Sequence, residues 1–453
     1  MDTLKYLFTA LLCPFFLAAQ DYSDVAVIVN INATASVEVG TYFQQQREIP
    51  PQNILEISTS TEEEIDEDTF AELRDQVESQ LDDNGLLNSI NYLVTTKGVP
   101  LKVARGDCWD ESMLANCSAV DSELALLFSD WSDQISQSGP VTNPYFEENG
   151  PFSRAVYGIF LVTRLDGYTV DDVKNLIDRS GPATGVNQET SRILLDISGD
   201  LDSSQVALNY NGLHAQAAQS CEDFGWDTTI DLEPPLATEA VNLLLYSSFD
   251  FFPGEEIPGH TWVAGSFADV IWEHSAATFD PAVNGNNGLQ VADLIAEGAT
   301  AAQGAVYLNF IHSSALRLNL FVDRYLSTPA QYNFAESIFM SLPRLSWMNI
   351  AIGDPKASLQ IDNTINGTIA PALSANLEIY PNPSLGQVTV QFPAEELEGI
   401  QIFNGLGQLV YQRTYDRWSG KEILDLSSLI AGLYWVEVMV EDQRKSFKLI
   451  ISE

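Results

Sequence analysis

Only 4 histidines serve the 453 residues of the chain, so the groupings that could do acid–base or nucleophilic chemistry are few. Cys221 lies in NYNGLHAQAAQSCEDFGW, an amphipathic helical stretch, and His214 precedes it there. A thiolate forms at neutral pH beside an imidazole or another cation. Seven residues of helix separate the two, roughly 10 Å of rise and beyond hydrogen-bond reach. Cys221 is therefore expected to be a buried packing thiol. Ser266, in AGSFAD, offers a second chemistry. His260, in PGHTW, precedes the same predicted strand, and Asp250 or Asp269 could orient its imidazole, the division of labour of a serine triad. Ala-Gly-Ser-Phe-Ala, however, carries one glycine where a nucleophile elbow carries two. His274 and His312 have no partner at the spacing of a helical zinc motif.

The acids offer little more. RLDGYTVDD and SGDLDSS cluster carboxylates without the EF-hand pattern, so a structural calcium ion is conceivable while no site is marked, and no cofactor is expected. Asp121 and Glu123, two apart in AVDSEL, are expected to cap a helix start. Cys108 and Cys117 bracket the loop CWDESMLANC and predict a local disulfide if the chain is exported.

Export is what the N-terminus suggests. MDTLKYLFTALLCPFFLAAQ has one basic residue, an apolar run and the small residues Ala18 and Ala19, the form of a secretory signal over residues 1–19. No later stretch approaches the ~18 apolar residues of a membrane span, so an integral membrane protein is not expected. Net charge is −42, from 63 acids against 21 bases, which repels nucleic acid and anionic membranes.

Strands and helices alternate over residues 20–361. Apolar runs such as DVAVIVNIN, NYLVTTKGV, GIFLVTRL, SRILLDISGD and VNLLLYSSFD predict strands covered on both faces. Between them, SVEVGTYFQQQREIP, FAELRDQVESQL and TVDDVKNLIDRS predict helices, and TWVAGSFADVIWEH a strand running into a helix. The expected architecture is α/β, a doubly wound and mainly parallel sheet. Ligands of such folds bind beyond the carboxyl ends of the strands. By that geometry the pocket candidates are Thr95, Thr96 and Lys97; Thr163 and Arg164; Ser198 and Asp200; Ser247, Ser248 and Asp250; and Ser266. Residues 362–376 turn small and polar, a linker, and residues 377–453 hold short alternating strands with Gly and Asn turns, a small β-sandwich.

Four blocks of that tail, YPNPSLGQVTVQF, IFNGLGQLVYQ, LSSLIAGLYWVEV and KSFKLIISE, resemble the type A C-terminal sorting domain of the type IX secretion system. The resemblance implies passage through the periplasm of a Gram-negative bacterium, outer-membrane translocation by the secretion machinery, removal of the tail, and release or surface attachment. The body resembles an uncharacterised secreted bacterial family through YLVTTKGVPLKV, AVDSELALL, PGHTWVAGSFADVIWEHS and IGDPKASL. More distantly, LVTRLDGYTVDDVKNLIDRS, SRILLDISGD, GATAAQGAVY and AESIFMSL are similar to gingipain-like cysteine peptidases, which implies a caspase-like fold. In those peptidases a His-Gly follows one strand and a catalytic Cys the next. The corresponding stretches here read YSSFD and AGSFAD, so Ser247 or Ser248 and Ser266 stand where the dyad would. The body is expected to be non-catalytic as a cysteine peptidase, and to be a binding or structural module or an enzyme of unknown reaction. The rival readings are a hydrolase using Ser266 or Cys221 with His260, and an adhesion or glycan-binding protein.

Overall fold

The computed structural model describes residues 20–105, 117–129, 140–181, 184–197, 205–232, 236–249, 257–271, 274–283, 288–307, 315–327, 332–361, 378–391, 397–404, 409–415, 418, 420–440 and 443–452. The chain divides into two compact units, Met1–Asn363 and Thr364–Glu453.

The first unit is built on one ten-stranded sheet. Its strands, in chain order, are β1 (Val25–Asn30), β2 (Ile54–Ile57), β3 (Tyr92–Thr96), β4 (Leu161–Leu165), β5 (Arg192–Ile197), β6 (Asp227–Asp231), β7 (Leu243–Phe249), β8 (Trp262–Val270), β9 (Ala301–Ala305) and β10 (Asn349–Ile352). Their spatial order is β6-β5-β7-β8-β9-β10-β4-β3-β1-β2. Every neighbouring pair is parallel except β9 and β10. The sheet is thus two parallel blocks of opposite direction joined at one antiparallel seam, where Ala302 faces Ile352.

The two blocks repeat one winding. In the first, β1 has β2 on one side and β3, then β4, on the other; in the second, β5 has β6 on one side and β7, then β8, on the other. Each block therefore has a switch point, between β1 and β3 and between β5 and β7, where connections leave in opposite directions and the carboxyl ends splay into a crevice.

Local sequence explains the helices that flank the first crevice. Helix α1 (Thr34–Arg47) buries Ser36, Val39, Gly40, Phe43 and Arg47, a single stripe at helical spacing. Gly40 lets it lie close to β1, since a Cβ there would come 2.5 Å from Val29 Cγ2. Helix α2 (Glu67–Asp83) starts where Asp66 accepts a hydrogen bond from the Thr69 N–H at 2.8 Å, and Glu67 and Asp68 face its dipole. Of the acid run ahead of it, Glu64–Asp66 is a short strand and only Glu67 and Asp68 stand in the helix's first turn.

Two expectations are corrected. TWVAGSFADVIWEH is strand through Val270, with a turn rather than a helix at residues 274–276. Pairing on both sides holds residues 267–269 extended: Phe267 faces Leu245 of β7 and Ala301 of β9. Asp121 and Glu123 do begin a helix, α3 (Val120–Leu124), but its N-cap Ala119 has no side-chain bond, and both carboxylates turn instead to buried cations.

The second unit is a β-sandwich. One sheet holds β11 (Glu378–Tyr380), β12 (Gln387–Gln391) and β15 (Lys421–Asp425). The other holds β14 (Leu409–Thr414), β13 (Leu397–Asn404), β16 (Gly432–Val440) and β17 (Gln443–Ile451), in that order. All pairs are antiparallel. Val388 and Val390, Ile400 and Ile402, and Tyr434, Val436 and Val438 alternate into one core, the period-two pattern of strands with one buried face.

Candidate functional site

A cleft of about 650 Å³ opens at the switch point of the first block. Lys97 and Gly98 leave β3 into it, Asp166 and Tyr168 follow β4, Ala35 lies in the first turn of α1, and Thr61 to Glu64 come from the segment after β2. Phe279, Asp280, Pro281 and Val283 close one side.

Beneath its floor lies a fully buried guanidinium. Arg164 Nε and Nη2 clamp Asp121 at 2.9 and 2.8 Å, Nη1 reaches the Val99 carbonyl at 3.0 Å and Asp166 at 3.3 Å, and Nη2 reaches the Pro100 carbonyl at 2.8 Å. Thr95 donates to Asp121 at 2.9 Å. An ion pair out of water holds only when geometry and hydrogen bonds offset desolvation, and here a bidentate clamp and two carbonyls do so. The network fixes the Val99-Pro100 bend and the position of Asp166. Beside it, Glu123 accepts from Ser346 at 2.7 Å and lies 3.4 Å from Arg105; burial raises its pKa, against the pull of Arg105.

The cleft's lysines are committed. Lys97 Nζ donates to the Gly167 carbonyl at 2.7 Å, the Phe279 carbonyl at 3.3 Å and Asp166 at 3.4 Å. Lys102 Nζ lies 3.9 Å from Glu64 and 5.2 Å from the centre of the Tyr307 ring; burial lowers its pKa, opposed by Glu64 and Glu63. At the rim, Glu62, Glu64 and Asp280 are exposed.

In the second block the structure joins three residues that are remote in sequence. Helix α4 (Gln205–Asp223) brings His214 Nε2 to 3.0 Å from Ser247 Oγ on β7. That hydroxyl donates to Asp269 on β8 at 3.1 Å, whose other oxygen accepts from Gln303 at 2.9 Å. His214, Ser247 and Asp269 are all 0% exposed. Desolvation pushes the Asp269 carboxyl up to about 7, against the bonds from Ser247 and Gln303. The residue types are those of a hydrolytic triad, but the order is not. In a triad the imidazole stands between hydroxyl and carboxylate and removes the hydroxyl proton. Here the hydroxyl stands in the middle: when Asp269 is ionised, Ser247 donates to it and accepts from His214 Nε2, and when Asp269 holds its proton the direction can reverse. The Ser247 side chain is fully buried.

The remaining candidates have separate partners. Ser266 lies inside β8, where its Oγ accepts from the Thr300 N–H at 3.1 Å. His260 Nδ1 accepts from the Ala240 N–H at 3.2 Å, and its ring packs on Tyr246 and Trp262. It is 4% exposed, and desolvation lowers its pKa to about 4. Cys221 is a free, buried thiol pushed up to about 12 by burial. Asp250, Ser198 and Asp200 lie outside the described residues, as does Cys108; Cys117 is disulfide-bonded. Among the described residues, no three His, Cys, Asp or Glu side chains gather as metal ligands, and no helix is long and apolar enough to cross a membrane.

Comparison with known proteins bears mainly on the tail. No curated protein matches the chain. Among solved structures, a DUF3244 family protein with an immunoglobulin-like β-sandwich fold from Bacteroides vulgatus is similar to 16% of the chain and 95% of its own length, at 14% identity and a TM-score of 0.13. A chain of the Saccharomyces cerevisiae separase–securin complex is similar over 65% of this chain but only 18% of its own length, at 12% identity and a TM-score of 0.30. Residues 378–452 match the family described as the secretion system C-terminal sorting domain, so the chain ends in a domain that addresses it for export to the cell surface or beyond.

Proposed function

We propose that the chain is a passenger delivered through the type IX secretion route of a Gram-negative bacterium, and that its body acts by binding and not as a cysteine peptidase. The signal-like residues 1–19 would take it across the inner membrane, and the sorting domain across the outer one. The observation that carries the binding reading is the inverted Ser247 corner. Where the resemblance to gingipain-like peptidases calls for an exposed imidazole and thiol, the chain holds a covered hydroxyl between an imidazole and a carboxylate. The free thiol of Cys221 lies elsewhere, buried on α4.

Two experiments test the two halves. Removing residues 378–453 should leave the protein in the periplasm; a shortened chain still found in the medium refutes the export route. Treating the secreted protein with a fluorophosphonate and with iodoacetamide should give no stoichiometric labelling. Stoichiometric modification of Ser266 that is lost in His260→Ala would establish the hydrolase reading instead.

A further inference from the structure

We propose that the switch-point cleft of the first block binds an organic cation, a primary ammonium or guanidinium on an aliphatic stem. That chemistry is carried by a Lys or Arg side chain of a peptide and by free polyamines. The inference deepens the binding reading and rests on it.

Position comes first: in open α/β sheets, ligands sit outside the carboxyl ends at the point where the winding reverses, and this cleft lies between the ends of β1 and β3. Its volume of about 650 Å³ is that of a small-molecule or side-chain site. Charge selects the ligand's sign. The lining holds five carboxylates and two ammonium groups. Lys97 has three acceptors for its three protons, and Lys102 already faces Glu64 at 3.9 Å and the Tyr307 ring at 5.2 Å, so the acids outnumber and partly neutralise the ammonium groups. The acids at the mouth, Glu62 and Asp280, are exposed. The net charge of −42 deepens the negative potential that a low-dielectric cleft focuses.

The rest of the lining selects an organic cation over a metal ion. The described carboxylates form no group of three that could ligate a metal. Around them Val99, Phe279, Pro281 and Val283 form an apolar wall; Val283 is 62% exposed. Such a wall covers a methylene stem while the charged head reaches the rim acids. The ring of Tyr168, held by its hydroxyl on Asp293 at 2.7 Å, adds an aromatic face for the cation.

The test is calorimetric titration of the full-length protein at about 0.15 M salt with three probes: spermidine, a short lysine-containing peptide, and the same peptide acetylated on Nζ. Glu62→Gln with Asp280→Asn should weaken binding about tenfold, as loss of charge-assisted contacts does. Asp82→Asn with Asp83→Asn, the same charge change at the far end of α2, should leave binding within about twofold. Binding of the peptide alone identifies a peptide side chain as the ligand, and binding of spermidine alone a free amine; either supports the proposal. It is overturned if neither binds, if the acetylated peptide binds as well as its parent, or if the two variants lose equally. All the substitutions are at exposed positions, so retained circular dichroism suffices to exclude misfolding. Failure here leaves the labelling result, and the binding reading it tests, untouched.

Discussion

Replacing Asp269 by Asn should remove a pH dependence of stability that the buried corner imposes. Burial moves the Asp269 carboxyl from the ordinary 3.8 up to about 7. The native state therefore keeps a proton that the unfolded chain has already released. Stability from this group is full below 3.8, declines as pH rises, and is lost above about 7. Roughly 3 pH units at about 1.4 kcal/mol each make the whole effect on the order of 4 kcal/mol. Between about pH 5.5 and pH 8.5 the wild-type protein should lose about 2 kcal/mol from this source. Asparagine has the shape of the neutral acid. Its oxygen can accept from Gln303, its amide can donate to Ser247, and Ser247 can then donate to His214, so no buried polar atom is orphaned. Urea unfolding at the two pH values, followed by tryptophan fluorescence, gives the wild-type-minus-variant difference, in which all other titrating groups cancel. That difference should shift by about 2 kcal/mol in favour of the variant at the higher pH. An unchanged difference would refute the assignment of a desolvated, proton-holding Asp269.

Three further outcomes follow from the same structure. His260, lowered from 6.5 to about 4, contributes stability that is present above 6.5 and lost as pH falls through 4; His260→Phe should flatten that acid limb, worth about 3 kcal/mol, in urea titrations. Arg164→Met leaves the buried Asp121 side chain without its clamp and should cost about 3–5 kcal/mol, most of it recovered when Asp121→Leu is added. Cys221 should resist iodoacetamide at about pH 8 in the native protein and react once urea unfolds it, because a thiol pushed up to about 12 presents almost no thiolate; native labelling would contradict its burial.

Much of the architecture is legible in the chain because its cause is local. Strands covered on both faces must be apolar throughout, so β1, β3 and β4 stand out as runs. Helix α1 shows its stripe, and the tail shows its alternation. β6, DTTID, escapes such a reading because an edge strand with polar, half-exposed residues has no pattern to show. Nor does NIAI in β10 reveal that it runs parallel to β4 and antiparallel to β9, since a buried strand reads alike in either direction.

The sites divide along the same line. The sequence alone determined an acidic chain with a sorting domain that addresses it for export, an α/β body, and Lys97 and Arg164 at strand ends where ligands of such folds gather. Only the tertiary structure decided which side chains meet. It brought Arg164 to Asp121 across 43 residues and Ser247 to His214 across 33, placed the hydroxyl in the middle of the corner, and left Ser266 and His260 with partners of their own. Hydrogen-bond order and burial are set by which strands become neighbours and how a helix lies across them. Residue types and local spacing record neither.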